Sequence, residues 1–75
     1  MPTIKARRIA ALRLRINRSV AAIRSYERIE SELQAMPQGD GARFKALMTA
    51  NAEVLNAARF SVAVDHEELG SLTEL

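Results

Sequence analysis

The most chemically suggestive stretch of this sequence is a basic run near its start. The stretch KARRIAALRLRINR holds six lysine and arginine side chains and no acidic one. Guanidinium groups along a helix can neutralise phosphates and release counterions, which is a common basis for binding RNA or DNA. Four of the arginines share one arc of a helical wheel, at about 100° per residue, and are the candidate phosphate-binding residues: Arg7, Arg8, Arg15 and Arg18.

The same charges also fit an internal role. The first 28 residues carry a net charge of +7 and the remaining 47 carry −5, which gives +2 for the chain. If two helices fold back on each other, Arg13 lies opposite Asp65 and Arg8 lies opposite Gly70. Exposed ion pairs add little stability but select the antiparallel arrangement. Internal pairing is favoured over phosphate binding, because the basic run has no interleaved aromatic side chain and no glycine-rich phosphate loop.

No combination of residues predicts catalysis or metal binding. The sequence has no cysteine and a single histidine, His66, which cannot build a zinc site alone. Glu27 and Glu30 have the spacing of a di-iron bundle but lack the companion E-x-x-H motifs. Two packed helices with polar outer faces also provide no pocket for a general acid and base. We therefore expect a protein that is not an enzyme and that holds no cofactor.

Length and composition favour an all-α protein that self-associates. A chain of 75 residues buries only a modest core, and without cysteine it has no disulfides to compensate. Alanine, arginine, leucine and glutamate predominate over three aromatic residues, which favours helix over strand. The sequence has no apolar run of the roughly 18 residues that cross a bilayer and no secretory signal. We expect a cytoplasmic homodimer with no membrane span.

The first half of the chain predicts one long helix over residues 4–35. Thr3 can cap its N-terminus, and Pro37 disfavours helical geometry at the residue before it. A break near Asn17 would instead give a three-helix bundle, and this alternative stays open at the level of sequence.

Turn residues separate this helix from a second one. The stretch PQGDG predicts a turn over residues 36–41, with Asp40 as the N-cap of a helix over 42–69. Gly70 is placed to end that helix in the left-handed conformation, leaving a frayed tail over 70–75. Because the turn is short, the two helices should lie antiparallel as a helical hairpin in a single domain over the whole chain.

Each helix carries a main apolar stripe and a second apolar patch. The stripes contain these residues, first in one helix and then in the other: Ile9, Leu12, Ile16, Val20 and Ile23; Phe44, Met48, Leu55, Val62 and Leu69. The second patches contain these: Ala22, Tyr26, Ile29, Leu33 and Met36; Phe60 and Val64. One neighbouring helix cannot cover both, so we expect the hairpin to dimerise into a four-helix bundle.

Two polar residues fall on the apolar arc of the second helix. A buried Asn51 would cost stability and fix the register of the two helices. A buried Asp65 needs a cationic partner, for which Arg13 is the candidate. A position at the rim of the arc is the alternative for both residues.

The predicted function is that of a small interaction protein, such as an adaptor, chaperone or inhibitor, that binds a protein partner through its helix faces. The candidate partner or dimer surface is formed by the larger side chains of the second patches: Tyr26, Ile29, Leu33, Met36, Phe60 and Val64. The alternative is an RNA- or DNA-binding hairpin that uses Arg7, Arg8, Arg15 and Arg18.

Overall fold

The computed structural model describes residues 2–36 and 41–74 and contains two helices, α1 (Ile4–Gln34) and α2 (Ala42–Thr73). They pack against each other along a rod that measures 56 × 16 × 16 Å. The helices are antiparallel, because Arg8 at the start of α1 pairs with Glu68 at the end of α2. The described residues contain no strand. The prediction of an all-α hairpin is confirmed.

Helix α1 begins and ends close to the predicted positions. The Thr3 hydroxyl oxygen accepts a hydrogen bond from the amide of Ala6 at 3.0 Å, which satisfies one free amide of the first turn. The helix ends at Gln34 with Ala35 as its C-cap, one residue before the predicted end. Because α1 is continuous through Asn17, the three-helix alternative is wrong.

Helix α2 extends further than predicted. Gly41 is its N-cap, without a side-chain hydrogen bond, while the predicted cap Asp40 lies outside the described residues. The helix passes through Gly70 and ends at Thr73, and no described glycine has a positive φ, so the prediction of a left-handed cap at Gly70 is wrong. A physical reason is that Leu72 is half-buried against α1, which rewards one more helical turn.

Replacing Gly70 with alanine tests this helical ending. A Cβ atom at residue 70 would meet nothing within 4 Å, so the substitution adds no clash. We expect it to raise the free energy of unfolding by about 0.5–1 kcal/mol, because glycine loses more backbone entropy in a helix than alanine does. Urea denaturation followed by circular dichroism measures the change. A loss of stability would instead indicate the left-handed cap.

The contact between the helices follows a seven-residue repeat. We define the seam as the buried or half-buried positions that are spaced alternately by three and four residues along each helix. They are, in α1 and then in α2: Ile9, Leu12, Ile16, Ser19, Ile23, Tyr26, Glu30 and Leu33; Phe44, Met48, Asn51, Leu55, Ala58, Val62, Asp65, Leu69 and Leu72. An average step of about 3.5 residues is the pattern of a coiled coil.

The repeat changes the assignment of two residues in α1. A seven-residue repeat drifts by about 20° per heptad on the wheel of an ideal helix, so a stripe followed over three heptads is displaced by about 60°. Tyr26 and Leu33, which we assigned to a second patch, therefore lie on the same seam as Leu12. Leu33 is 8% exposed because the hairpin itself covers most of its side chain, and its place in a partner surface stays a prediction.

The resulting core is thin. Only four apolar side chains of the described residues are buried, with 8% exposure or less, namely Leu12, Ile16, Leu33 and Leu55. Within residues 2–36 and 41–74, neither helix has an apolar stretch that could span a bilayer. Several larger apolar side chains stay exposed, and their placement defines the candidate site.

Candidate protein-interaction face

One side of the hairpin carries two rows of residues that flank the seam, each with seven-residue spacing. The rows are, in α1 and then in α2: Arg8, Arg15, Ala22, Ile29 and Met36; Glu68, Ser61, Val54 and Leu47. In an antiparallel coiled coil such rows face each other, and the pairing of Arg8 with Glu68 sets their register. Ile29 therefore lies opposite Leu47. We call this side the grooved face.

The half of the grooved face that lies nearer the turn is apolar, and we call it the apolar end. It contains Ile29 and Met36 of α1 and Leu47 and Val54 of α2. A shallow groove runs between the helices there, lined by Tyr26, Ile29, Leu33, Leu47, Ala50, Asn51 and Val54. Of these side chains, Ile29, Leu47 and Val54 remain 40–54% exposed. Exposed apolar side chains that lie side by side, unlike single ones, mark a surface that another molecule covers.

The other half of the face is charged, and we call it the charged end. Arg8 donates from Nε and Nη2 to the Glu68 carboxylate at 2.5 and 2.7 Å. Arg15 donates from the same two nitrogens to the Asp65 carboxylate at 2.8 and 2.5 Å. Both pairs are bidentate, the geometry in which a planar guanidinium fits a carboxylate best. They connect the beginning of α1 to the end of α2.

Asp65 occupies a seam position, where its side chain is 2% exposed. Arg15 reaches it from the flanking row and stays half-exposed. The prediction that Arg13 pairs with Asp65 is wrong, because Arg13 flanks the seam on the opposite side, away from Asp65. A buried carboxylate without a cation would carry a severe desolvation cost, and Arg15 removes that cost.

The two ion pairs lower the pKa values of their carboxyl groups. The hydrogen bonds from Arg15 hold the pKa of Asp65 below its ordinary value, although burial acts in the opposite direction. The hydrogen bonds from Arg8 lower the pKa of Glu68 in the same way. Both carboxyl groups therefore favour the folded state when they are ionised.

This ionisation predicts a loss of stability in acid. A pKa that is lower in the folded than in the unfolded chain contributes stability that is complete above the unfolded value, which is about 4 for a carboxyl group. That contribution disappears as the pH falls below about 4 and through the lowered folded values. Thermal unfolding at a series of pH values should show it. The double variant Asp65→Asn, Glu68→Gln should unfold more readily at neutral pH and respond less to acid.

Asn51 provides a polar link in the middle of the seam. Its side-chain Nδ2 donates to the backbone carbonyl of Tyr26 at 3.1 Å, across the two helices. Asn51 is half-buried. Among the described residues, no buried side-chain nitrogen or oxygen lacks a hydrogen-bond partner. The expectation that Asn51 links the two helices in one register agrees with this contact.

The structure divides the four candidate phosphate-binding arginines into two kinds. Arg8 and Arg15 face α2 and form ion pairs with Glu68 and Asp65, the internal role that we favoured over phosphate binding, and their part in phosphate binding stays a prediction. Arg7 and Arg18 are exposed and form no ion pair with any described residue. The remaining ion pair of the described residues joins Arg59 and Glu27. It lies on the opposite side of the seam from the grooved face.

Two of the six candidate partner residues, Ile29 and Met36, lie in the rows of the grooved face. Ile29 is 40% and Met36 52% exposed at its apolar end. Phe60 and Val64 line a second groove at the charged end, together with Arg15, Ser61 and Asp65, and are 73% and 45% exposed.

Our sequence analysis missed two residues of this face. Leu47 and Val54 belong to neither the apolar stripe nor the second patch described for the second helix, and they are 54% and 44% exposed. Their spacing is the signal that could have identified them, because each directly precedes a seam residue of α2, Met48 or Leu55.

Comparisons with known proteins do not assign the chain to a family. No family model matches it, and neither the curated proteins nor the solved structures provide a significant match. Its function is therefore inferred from the grooved face itself.

Proposed function

We propose that this protein is a small non-enzymatic interaction protein, such as an adaptor, chaperone or inhibitor, that binds another protein chain through its grooved face. The observation that supports this most directly is the apolar end, where Ile29, Met36, Leu47 and Val54 are all 40–54% exposed. Burying apolar surface contributes about 25 cal/mol per Å². Covering this end would remove a group of neighbouring exposed apolar side chains from water.

The shape of the face favours a helix or another extended protein surface as its ligand. The groove is shallow and runs between two long helices, whereas small molecules usually occupy deeper concave sites. A helix that presents apolar residues at intervals of three and four can lie along such a groove. The adjacent charged end, with Arg8 and Glu68, would orient the ligand more than it would strengthen binding.

Site-specific photo-crosslinking tests this proposal. A photoreactive amino acid at residue 47 lies on the grooved face, and the same amino acid at residue 14 lies on the far side of α1, where Leu14 is 51% exposed. We expect adducts with a protein chain from residue 47 and not from residue 14. The protein identified in each adduct should then be purified and mixed with the hairpin. The dissociation constant of that complex is measured for Leu47→Glu and for the matched control Leu14→Glu.

Two results would contradict the proposal. One is equal crosslinking from residues 47 and 14, which would indicate non-specific contact. The other is a rebuilt complex in which Leu14→Glu weakens binding as much as Leu47→Glu does, which would move the interaction to another surface.

Nucleic-acid binding is the second candidate function, and it now depends on the outer side of α1. Arg7 and Arg18 are exposed and form no ion pair with the described residues, which is the observation in its favour. We expect purified chain not to bind RNA or duplex DNA at moderate salt. Binding that weakens steeply with salt, and that Arg7→Gln with Arg18→Gln abolishes, would support this second function instead.

A further inference from the structure

We infer that the chain covering the grooved face is a second copy of this protein, related to the first by a two-fold axis parallel to the rod. The C-terminal ends of α1 in the two copies then lie at the same end of a four-helix bundle. This inference rests on the proposed function, because it names the occupant of the same face.

The surface area of the hairpin supports a partner of this size. The chain exposes 5850 Å², whereas a compact monomer of 8.3 kDa is expected to expose about 4,600 Å². One long side of the 56 × 16 Å rod presents about 900 Å². A standard protein interface buries about 800 Å² on each partner. One complete side of the rod is therefore enough for a stable dimer.

The pattern along the grooved face is complementary to itself in one orientation. With the axis parallel to the rod, α1 of each copy faces α2 of the other at the same level. In the register set by Arg8 and Glu68, Ile29 then meets Leu47 of the second copy and Ala22 meets Val54, while Met36 lies about two helical turns beyond Leu47. At the charged end, basic side chains of α1 meet Glu68 of the second copy. Every neighbouring pair of helices is antiparallel, which also aligns the helix dipoles favourably.

The reversed orientation lacks this complementarity. An axis perpendicular to the rod would place α1 against α1, with Arg8 and Arg15 of one copy over Ile29 and Met36 of the other. Such contact removes water from charged groups without providing a hydrogen-bonding partner, which is costly. It would also leave the apolar end without apolar cover. The sequence of charges and apolar residues along the face thus selects the parallel axis.

The thin core favours a second copy over an unrelated chain. Only four apolar side chains of the described residues are buried, and small chains of this kind commonly gain stability by oligomerisation. A copy of the same chain provides cover wherever the protein is made. A two-fold axis also needs only one self-complementary surface.

The molar mass in solution is the first test. We expect light scattering to give twice the chain mass of 8.3 kDa. Leu47→Glu should shift the mass to that of the monomer, because it places a charge in the apolar end. Leu14→Glu changes an equally exposed leucine outside the face and should remain dimeric. Circular dichroism of each variant reports whether it stays helical.

The orientation of the axis needs a second measurement. The chain has no cysteine, so Ser31→Cys, on an exposed residue of α1, accepts a single spin label per copy. With the axis parallel to the rod, the two labels have no offset along it. Reversal that places Arg15 over Ile29 is centred on residue 22 and would separate the labels along the rod by roughly 27 Å, at 1.5 Å per residue. Pulsed electron resonance distinguishes these two arrangements. Because the label leaves the residues of the grooved face unchanged, the measurement does not depend on whether Leu47→Glu folds.

The outcomes separate this inference from the proposed function. A monomeric wild-type chain that crosslinks from residue 47 to another protein would overturn the inference and leave the function standing. A dimer whose mass Leu47→Glu does not change, or whose labels are far apart, would also overturn it. A monomer without crosslinks from residue 47 would overturn both.

Discussion

Replacing Leu12 with alanine should remove about 2–5 kcal/mol from the free energy of unfolding. The Leu12 side chain is 1% exposed, and it is one of few buried apolar side chains in the described seam. Truncating it loses apolar burial and leaves a cavity that two rigid helices cannot fill completely. Because small proteins are stable by only about 5–15 kcal/mol, most of the helical signal should disappear at moderate urea concentrations.

The same substitution two residues later provides the control. Leu14 is 51% exposed, so Leu14→Ala changes helix propensity by the same amount without opening a cavity. Its effect should stay within about 0.5 kcal/mol. Urea denaturation of the two variants, followed by circular dichroism, gives the comparison. Equal losses would show that the seam does not bury Leu12 in solution.

Replacing Arg15 with methionine should give the second largest effect. Methionine keeps much of the length of the side chain but removes both hydrogen bonds to Asp65, whose carboxylate is then buried without a cation. The matched variant Arg8→Met removes an equally bidentate pair in which both side chains are partly exposed to solvent. We expect the midpoint of thermal unfolding to fall several times further for Arg15→Met than for Arg8→Met.

A double variant separates the cost of the isolated charge from the value of the pair. Arg15→Met with Asp65→Leu replaces the ion pair by apolar side chains in a seam that is otherwise mostly apolar. It should recover most of the thermal stability that Arg15→Met loses. If the double variant is as unstable as the single one, the pair contributes more than the neutralisation of Asp65, and specific hydrogen bonding would then account for the loss.

The local features of the fold could be predicted from residue types alone. Thr3 caps α1 because its hydroxyl lies within reach of a free amide three residues later. The long helices follow from the apolar spacing and from the absence of proline or glycine between residues 4 and 36. The antiparallel arrangement follows from the short connection and from opposite charges at the two ends of the chain.

The face was harder to predict, because it depends on a small drift that accumulates along both helices. On the wheel of an ideal helix, Leu33 appears to leave the stripe of Leu12, whereas supercoiled helices keep both on one seam. Leu47 and Val54, which were in neither predicted apolar group of the second helix, each precede a seam residue and lie on the exposed grooved face. A pattern of seven-residue steps, had it been followed in both helices, would have corrected these assignments.

By itself, the sequence determined two long antiparallel helices with a basic beginning and an acidic end, because propensity, capping and charge act over a few residues. The tertiary structure decided which arginine neutralises Asp65, since Arg15 and Arg13 differ only in the side of the seam from which they approach. It also decided that α2 continues past Gly70, because Leu72 finds a place against α1. These outcomes depend on the register between two helices, and contacts distant in sequence set that register.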